Sequence, residues 1–256
     1  MTLHVLAFGE HTTGAPPLLC LHGVTGNAWL WHDVADHLSQ GGLVLAPDLR
    51  GHGDSRWSAK AEYSTSDHVR DLAGILDALE IEVCDIAGLS WGGLIALEYT
   101  ANYPGRVRRL AVLDVEPSYQ QADDAVPPRP TQFPDRNSVY TWERAANLNA
   151  PDPLLHLFAA SSVRPGDDGT WARKHDRFFF TRWPFRNDDA WATLEQLRLP
   201  TLFLHGERSF VRRQVMEEMA ARVHGAVFHS LKDTGHLLPL EAPQSVSEHL
   251  EAFLRS

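Results

Sequence analysis

Residues 83–93 read Val-Cys-Asp-Ile-Ala-Gly-Leu-Ser-Trp-Gly-Gly, and the fold prediction starts from them. An apolar run precedes the Gly-Leu-Ser-Trp-Gly sequence, and a helical pattern over 91–103 follows it. This order predicts a strand, a tight turn and a helix, with Ser90 on the turn. Glycines on both sides leave room for a strained turn that projects the Ser90 hydroxyl above the sheet. The positive end of the helix that starts at Trp91 would face negative charge developing beside that hydroxyl. The pattern predicts that Ser90 is a nucleophile.

Short apolar runs alternate with longer amphipathic segments along the chain, which is typical of an α/β domain with a mostly parallel sheet. The runs are nearly continuous in apolar character, which indicates strands covered on both faces. They lie at 18–23, 43–49, 83–90, 109–116, 200–207 and 226–233. Helical patterns between and after them cover 65–79, 91–103, 211–223 and 243–254.

This regularity ends between residues 117 and 199, where proline, aspartate and aromatic residues become frequent. The segment is too long for a plain loop, contains several short helix candidates and shows no strand-like alternation. It predicts an inserted helical cap at 117–199 on a core domain formed by 1–116 and 200–256.

The composition argues against several classes of function. The 256 residues carry a net charge of −10, which would repel nucleic acid and anionic membrane surfaces. The apolar runs are too short to cross a membrane, and no secretory signal pattern is present, so a cytoplasmic protein is expected. Cys20 and Cys84 lie inside apolar runs and are expected to be buried. No Cys or His spacing predicts a metal site, and nothing predicts a particular oligomeric state.

A second chemical pattern lies near the C-terminus, where residues 233–236 read Asp-Thr-Gly-His. His236 follows the last predicted strand in a short glycine-containing loop, and Glu241 and Pro243 come five and seven residues later. A histidine at this edge of the sheet can reach a hydroxyl at the end of an inner strand. His236 is therefore predicted to be the general base for Ser90.

Together these motifs resemble the α/β-hydrolase superfamily over essentially the whole chain. Four landmarks occur in the family's order: His-Gly-Val-Thr-Gly at 22–26, Asp-Leu-Arg-Gly-His-Gly-Asp-Ser at 48–55, the turn at Ser90 and the loop at His236. The resemblance implies an α/β-hydrolase fold, with a mostly parallel eight-stranded sheet and helices on both faces. It says little about the substrate, because this fold hosts many reactions.

The resemblance also implies an oxyanion hole. Members of the family supply one backbone N–H from the early loop and one from the residue after the nucleophile, which here are Val24 and Trp91. Gly23 and His22 would support the loop, with His22 as a structural residue and not a catalytic one. The charged residues of 48–55 are expected to make scaffold hydrogen bonds.

The carboxylate of the triad departs from the family's majority pattern. Most members carry it shortly after the strand that follows the cap, where this chain has Ser209. A subset, including small esterases, places the acid after the sixth strand in a strand–Asp–x–x–Pro sequence, which Asp114 matches. In that subset the counterpart of Ser209 supports the histidine. Asp114 is therefore predicted to accept the ring N–H of His236, and Glu116 is the second candidate.

The predicted reaction is two-step acyl transfer through Ser90, with no metal or organic cofactor. The expected substrate is a small-molecule carboxylic ester or lactone with a hydrophobic or aromatic group, because the cap is rich in aromatic residues. C–C bond hydrolysis and perhydrolysis use the same triad and remain alternatives, as does a non-catalytic small-ligand-binding protein. The predicted pocket residues are Leu89, Trp29, Trp142, Phe179, Trp183 and Leu237.

Overall fold

A seven-stranded sheet forms the centre of the molecule. The structure is a computed structural model that describes residues 1–12, 14–119 and 126–256. Its strands are β1 (Val5–Phe8), β2 (Leu18–Leu21), β3 (Val44–Pro47), β4 (Cys84–Leu89), β5 (Val107–Leu113), β6 (Gln132–Phe133), β7 (Val163–Pro165), β8 (Trp171–Arg173), β9 (Thr201–Gly206) and β10 (Val227–Leu231). The order across the central sheet is β1-β3-β2-β4-β5-β9-β10.

All neighbouring strands of this sheet are parallel except β1, which pairs antiparallel with β3. The prediction of a mostly parallel sheet is confirmed, but its strand number is wrong. The described residues form seven strands in this sheet and not eight. The chain ahead of β2 contributes only β1, since the residues between them include two consecutive prolines, Pro16 and Pro17, which have no N–H to pair.

Helices cover both faces of the sheet. They are α1 (His32–Leu38), α2 (Thr65–Ala78), α3 (Trp91–Asn102), α4 (Arg136–Ala146), α5 (Asp152–Ser161), α6 (Trp191–Gln196), α7 (Arg213–Arg222), α8 (Leu238–Glu241) and α9 (Pro243–Arg255). Alternate residues of β2 belong to the two layers. Leu19 and Leu21 share a hydrophobic cluster with residues of α2, α3 and α7, whereas Leu18 and Cys20 share one with residues of α1 and α9. Among the described residues, none of the helices combines the length and hydrophobicity that a membrane span requires.

Local chemistry explains where the helices begin. Ser64 caps α2, because its side chain accepts from the Asp67 N–H while the Asp67 carboxylate accepts from the Ser64 N–H. Pro243 occupies the first turn of α9, where a missing N–H costs nothing. These signals are local in sequence, and the four helices predicted with bounds, α2, α3, α7 and α9, begin and end within two residues of the prediction.

The segment between β5 and β9 packs over the loops at the carboxyl edge of the sheet. It contains α4, α5, α6, two 3-10 helices (Arg177–Phe180 and Pro184–Asn187) and a three-stranded sheet ordered β6-β8-β7. Residues 120–125 of the predicted cap lie outside the described residues. The predicted helices of the insertion are present, and β6, β7 and β8 come in addition to them. These strands are only two or three residues long, which is too short for an alternating pattern to be visible in the sequence.

Candidate active site

Ser90 lies on the turn between β4 and α3, with φ 54° and ψ −127°. The two flanking glycines are required by close backbone approaches. A Cβ on Gly88 would lie 2.3 Å from the Gly92 oxygen, and a Cβ on Gly92 would lie 2.5 Å from the Leu21 oxygen. The Ser90 N–H donates to the Leu113 oxygen at 2.8 Å. The turn is thus held in a strained conformation that lifts the hydroxyl away from the strand, and Ser90 is 6% exposed.

Two buried histidines hold the loop that follows β2. The Leu49 N–H donates to His22 Nε2 at 3.0 Å, which assigns the ring proton to Nδ1, and Nδ1–H donates to the Gly23 oxygen at 2.7 Å. The Thr25 N–H donates to His52 Nε2 at 3.0 Å. Burial lowers the pKa of His22. The nearby Asp48 carboxylate acts in the opposite direction, but its effect is smaller. Both rings are therefore neutral at neutral pH and hold the loop by hydrogen bonds to its backbone.

Burial, together with the nearby rings of His22 and His175, also keeps the pKa of His52 well below its ordinary value. Its neutral form is the one that can accept from the Thr25 N–H, so the low pKa preserves this hydrogen bond as the pH falls.

The backbone N–H groups of Val24 and Trp91 are the two predicted oxyanion donors. Within 1–12, 14–119 and 126–256, neither N–H donates to a protein acceptor. The Trp91 ring is fully buried, and its Nε1–H donates to Thr65 Oγ1 at 2.9 Å. This hydrogen bond fixes the first turn of α3, and with it the direction of the Trp91 N–H.

Gly23 brings the loop against the nucleophile. A Cβ at this position would lie 2.9 Å from Ser90 Cβ and 3.3 Å from Ser90 Oγ. We expect Gly23→Ala to displace the loop or the serine and to lower kcat by about 100-fold, the loss typical when one oxyanion donor is removed. Steady-state kinetics with a chromogenic ester measures this fall in kcat.

Gly74 supplies the matched control for that substitution. It lies on the exposed side of α2, where an added Cβ meets nothing within 4 Å. Gly74→Ala should leave kcat unchanged and raise the free energy of unfolding by about 1 kcal/mol, as alanine does in helices. Equal kcat values for Gly23→Ala and the wild type would contradict the proposed placement of the loop.

Asp114 follows β5 and contacts His236. Its Oδ2 lies 2.6 Å from His236 Nδ1 and accepts from Ser209 Oγ at 2.5 Å, while its Oδ1 accepts from the Gly206 N–H at 2.9 Å. The carboxylate is fully buried, and the residue has φ 47°. The structure thus brings together three predicted site residues, Asp114, His236 and Ser209.

Glu116, the second candidate acid, binds Arg212. Its two carboxylate oxygens accept from Arg212 Nε at 2.9 Å and Arg212 Nη2 at 2.6 Å, and the Arg212 N–H adds a bond of 3.0 Å. Partial burial opposes its ionisation, but the hydrogen bonds from Arg212 outweigh it and lower the pKa of Glu116. The side chain is engaged in an ion pair away from His236.

The loop that carries His236 depends on the glutamate that the sequence pattern contains. The Gly235 N–H donates to Glu241 Oε2 at 3.1 Å, and a Cβ on Gly235 would lie 2.6 Å from Glu241 Oε1. Phe210 packs its ring against the His236 imidazole with centroids 4.4 Å apart, although it is 72% exposed. The sequence assigned Phe210 no role, because nothing local predicts a contact with a residue 26 positions away.

A family model described as the alpha/beta hydrolase fold matches residues 16–243. The chain belongs to this family. It is 33% identical over 244 residues to 2-hydroxymuconate semialdehyde hydrolase of Pseudomonas sp. (strain CF600), covering 90% of this chain and 84% of the relative. It is 29% identical over 252 residues to an esterase of Mycobacterium tuberculosis, covering 94% of this chain and 83% of that esterase. The structure of E-2-(acetamidomethylene)succinate hydrolase superposes with a TM-score of 0.86 at 20% identity. The match covers 99% of this chain and 95% of that structure. The predicted family and hydrolase class are confirmed.

The six predicted pocket residues of this hydrolase have different surroundings. Leu89 and Phe179 are fully buried in the core, and Trp142 is 37% exposed on α4. Trp29, Leu237 and Trp183 are partly buried. A cavity of about 540 Å³ lies between the insertion and the loop at Trp57, and its described lining includes neither Ser90 nor any of these six.

One cluster of the hydrolase has the composition of a metal site. The ligand atoms of His4, Asp48 and Asp54 lie within 4.8 Å of one another. However, Asp48 Oδ1 accepts from the Ala28 N–H at 2.7 Å, and Asp48 Oδ2 accepts from the Asp54 N–H at 2.9 Å and contacts His4 Nδ1 at 2.8 Å. These bonds give the carboxylate a scaffold role, as predicted for residues 48–55.

Proposed function

We propose that Ser90, His236 and Asp114 form a catalytic triad that hydrolyses a small-molecule carboxylic ester or lactone. The observation that carries the proposal is the 2.6 Å contact between Asp114 Oδ2 and His236 Nδ1. It joins a buried carboxylate to the histidine of the loop after β10, at the sheet edge where the strained turn presents Ser90. An acid that binds Nδ1–H leaves Nε2 as the nitrogen that can take a proton.

The chemistry follows from these roles. His236 Nε2 accepts the Ser90 proton as Oγ attacks the carbonyl carbon, and the resulting imidazolium is stabilised by Asp114. The imidazolium then protonates the leaving oxygen, which departs and leaves an acyl group on Ser90. His236 next takes a proton from water, whose oxygen attacks the acyl carbon. Collapse of this second tetrahedral intermediate returns the proton to Ser90 and releases the acid.

Val24 and Trp91 would stabilise the charge on the carbonyl oxygen in both steps. Their N–H groups come from the loop held by His22 and His52 and from the first turn of α3. Because the loop and the first turn of α3 are both fixed by hydrogen bonds before substrate arrives, these donors need no reorganisation as the charge develops.

The insertion at 117–199 is proposed to act as the cap that selects the substrate. Its aromatic residues favour an apolar acyl or alcohol group. The second candidate function is hydrolysis of a C–C bond, because one relative that is 33% identical is a 2-hydroxymuconate semialdehyde hydrolase. The esterase of Mycobacterium tuberculosis, which matches 94% of this chain, supports the ester.

A substrate panel tests the proposed function. We expect p-nitrophenyl alkanoates to be hydrolysed with kcat/KM of about 10⁴ M⁻¹ s⁻¹ or more for the best chain length, the lower end of the usual range for enzymes. The same preparation is assayed with 2-hydroxymuconate semialdehyde. Turnover of that compound about 100-fold more efficient than of any ester would favour the C–C alternative. Absence of both activities would favour a ligand-binding protein.

A further inference from the structure

Arg129 places a positive charge beside the early loop. Its Nη1 donates to Thr25 Oγ1 at 2.5 Å, and its guanidinium lies 5.7 Å from the centre of the Trp183 ring. The side chain is partly buried. Within the described part of the chain, no carboxylate pairs with Arg129, so its hydrogen-bonding partner is a neutral hydroxyl. A guanidinium has five N–H donors, and one bond to a hydroxyl leaves most of them available.

Among residues 1–12, 14–119 and 126–256, the surrounding charges do not neutralise this guanidinium. Glu143 is an acid whose charge acts on Arg129, but it is bound to Arg173 at 2.6 Å, and both members of that pair are buried. Burial lowers the pKa of Arg129, and the Arg173 charge adds to the effect. Burial, Arg173 and Arg129 also lower the pKa of His175 to about 3, so that ring is neutral. Arg173 and Arg129 thus carry two positive charges against the one negative charge of Glu143, so these three described residues have a net charge of +1.

This charge lies close to the proposed reaction centre. Thr25 directly follows Val24, the proposed oxyanion donor, and it has a left-handed backbone with φ 61°. Since consecutive Cα atoms are about 3.8 Å apart, the guanidinium lies within roughly 10 Å of the Val24 N–H. A partly buried cation that has no counter-ion among the described residues is suited, at that distance, to an anionic group of the substrate.

We propose that Arg129 binds a carboxylate of the substrate, so that the preferred substrate is an apolar ester or lactone bearing one carboxylate. This inference rests on the proposed function and specifies its substrate class. The Thr25 hydrogen bond and the Trp183 ring hold the guanidinium in place, and a carboxylate of the substrate supplies the negative charge that the described residues do not. Arg129 is then a specificity-determining residue that orients the carbonyl toward Ser90.

Matched pairs of esters test this inference. Mono-p-nitrophenyl glutarate and adipate carry a terminal carboxylate, and the p-nitrophenyl alkanoates of the same carbon number are their neutral counterparts. The rate with Ser90→Ala is subtracted as the background. We expect the wild type to prefer the anionic member of a pair. Arg129→Met should lower kcat/KM for the anionic ester by about 10- to 100-fold, mainly through KM, and change the neutral ester by less than threefold. Arg129→Lys should retain part of the anionic preference.

Arg136 provides the matched control, because it also stacks on a tryptophan, Trp171 at 4.5 Å, but it lies exposed on α4. Arg136→Met should leave both rates unchanged. An equal fall for both esters with Arg129→Met would assign Arg129 a purely structural role and overturn the proposal, as would no change for either. If the wild type hydrolyses no ester, calorimetry of glutarate binding decides, since Arg129→Met must then weaken that binding at least tenfold.

Discussion

Ser90→Ala is expected to lower kcat by about 10⁶-fold, the scale seen when a serine protease loses its nucleophile. The hydroxyl is the only group removed, and alanine keeps the Cβ that the strained backbone at φ 54° already accommodates. The Ser90 side chain makes no capping hydrogen bond to α3, so the fold should be unaffected. The measurement is ester turnover together with labelling by a fluorophosphonate, followed by mass spectrometry of the intact protein.

Ser66→Ala is the control for the loss of a hydroxyl. Ser66 lies exposed on α2, where its Oγ donates only to Glu98 at 2.8 Å. This variant should keep both turnover and a single covalent label, and both variants should unfold at the wild-type denaturant midpoint. Labelling of Ser90→Ala with normal stoichiometry, or turnover above one hundredth of the wild-type rate, would contradict the assignment of the nucleophile.

Asp114→Asn is expected to lower kcat by about 10⁴-fold with little change in KM, as the same substitution does in a serine protease triad. The asparagine oxygen can keep the hydrogen bond from the Gly206 N–H, which places its amide NH₂ toward His236 Nδ1. A donor at that position forces the imidazole proton onto Nε2. His236 then has no lone pair on Nε2 with which to accept the Ser90 proton.

Glu116→Gln is the matched control, because it makes the same chemical change two residues further along the chain. It weakens only the ion pair with Arg212, whose side chain is 70% exposed, so kcat should stay within threefold of the wild type. Near wild-type kcat for Asp114→Asn, combined with a large loss for Glu116→Gln, would transfer the acid role to Glu116.

Local backbone constraints explain why so much of the fold could be predicted. The turn at Ser90 is recognisable because two glycines four residues apart must lack side chains. Gly88 lies against the backbone of Gly92 in α3, and Gly92 lies against the backbone of Leu21 in β2. The start of α2 is predictable because the two residues that cap it, Ser64 and Asp67, lie three positions apart in the sequence. By contrast, β6, β7 and β8 are too short for any periodic signal, so the sequence predicts only the helices of the insertion.

Candidate pocket residues were harder to predict, for a related reason. The 3-10 helix Arg177–Phe180 is one turn long, so no periodicity indicates which of its aromatic side chains faces the core. Phe179 turned out to be fully buried against Tyr63 and His52. Trp142 lies on the exposed side of α4. Aromatic content alone indicated a lid but could not assign its individual residues.

The sequence by itself determined the mostly parallel sheet, four of the helices around it, the turn at Ser90 and the loop at His236, because each depends on residues that are neighbours in the chain. Tertiary structure alone decided between Asp114 and Glu116 as the partner of His236, since that contact joins residues 122 positions apart. It also decided the position of Arg129, which meets Thr25 across 104 positions. Such contacts depend on how the insertion and the sheet-edge loops pack together, and no local pattern encodes that packing.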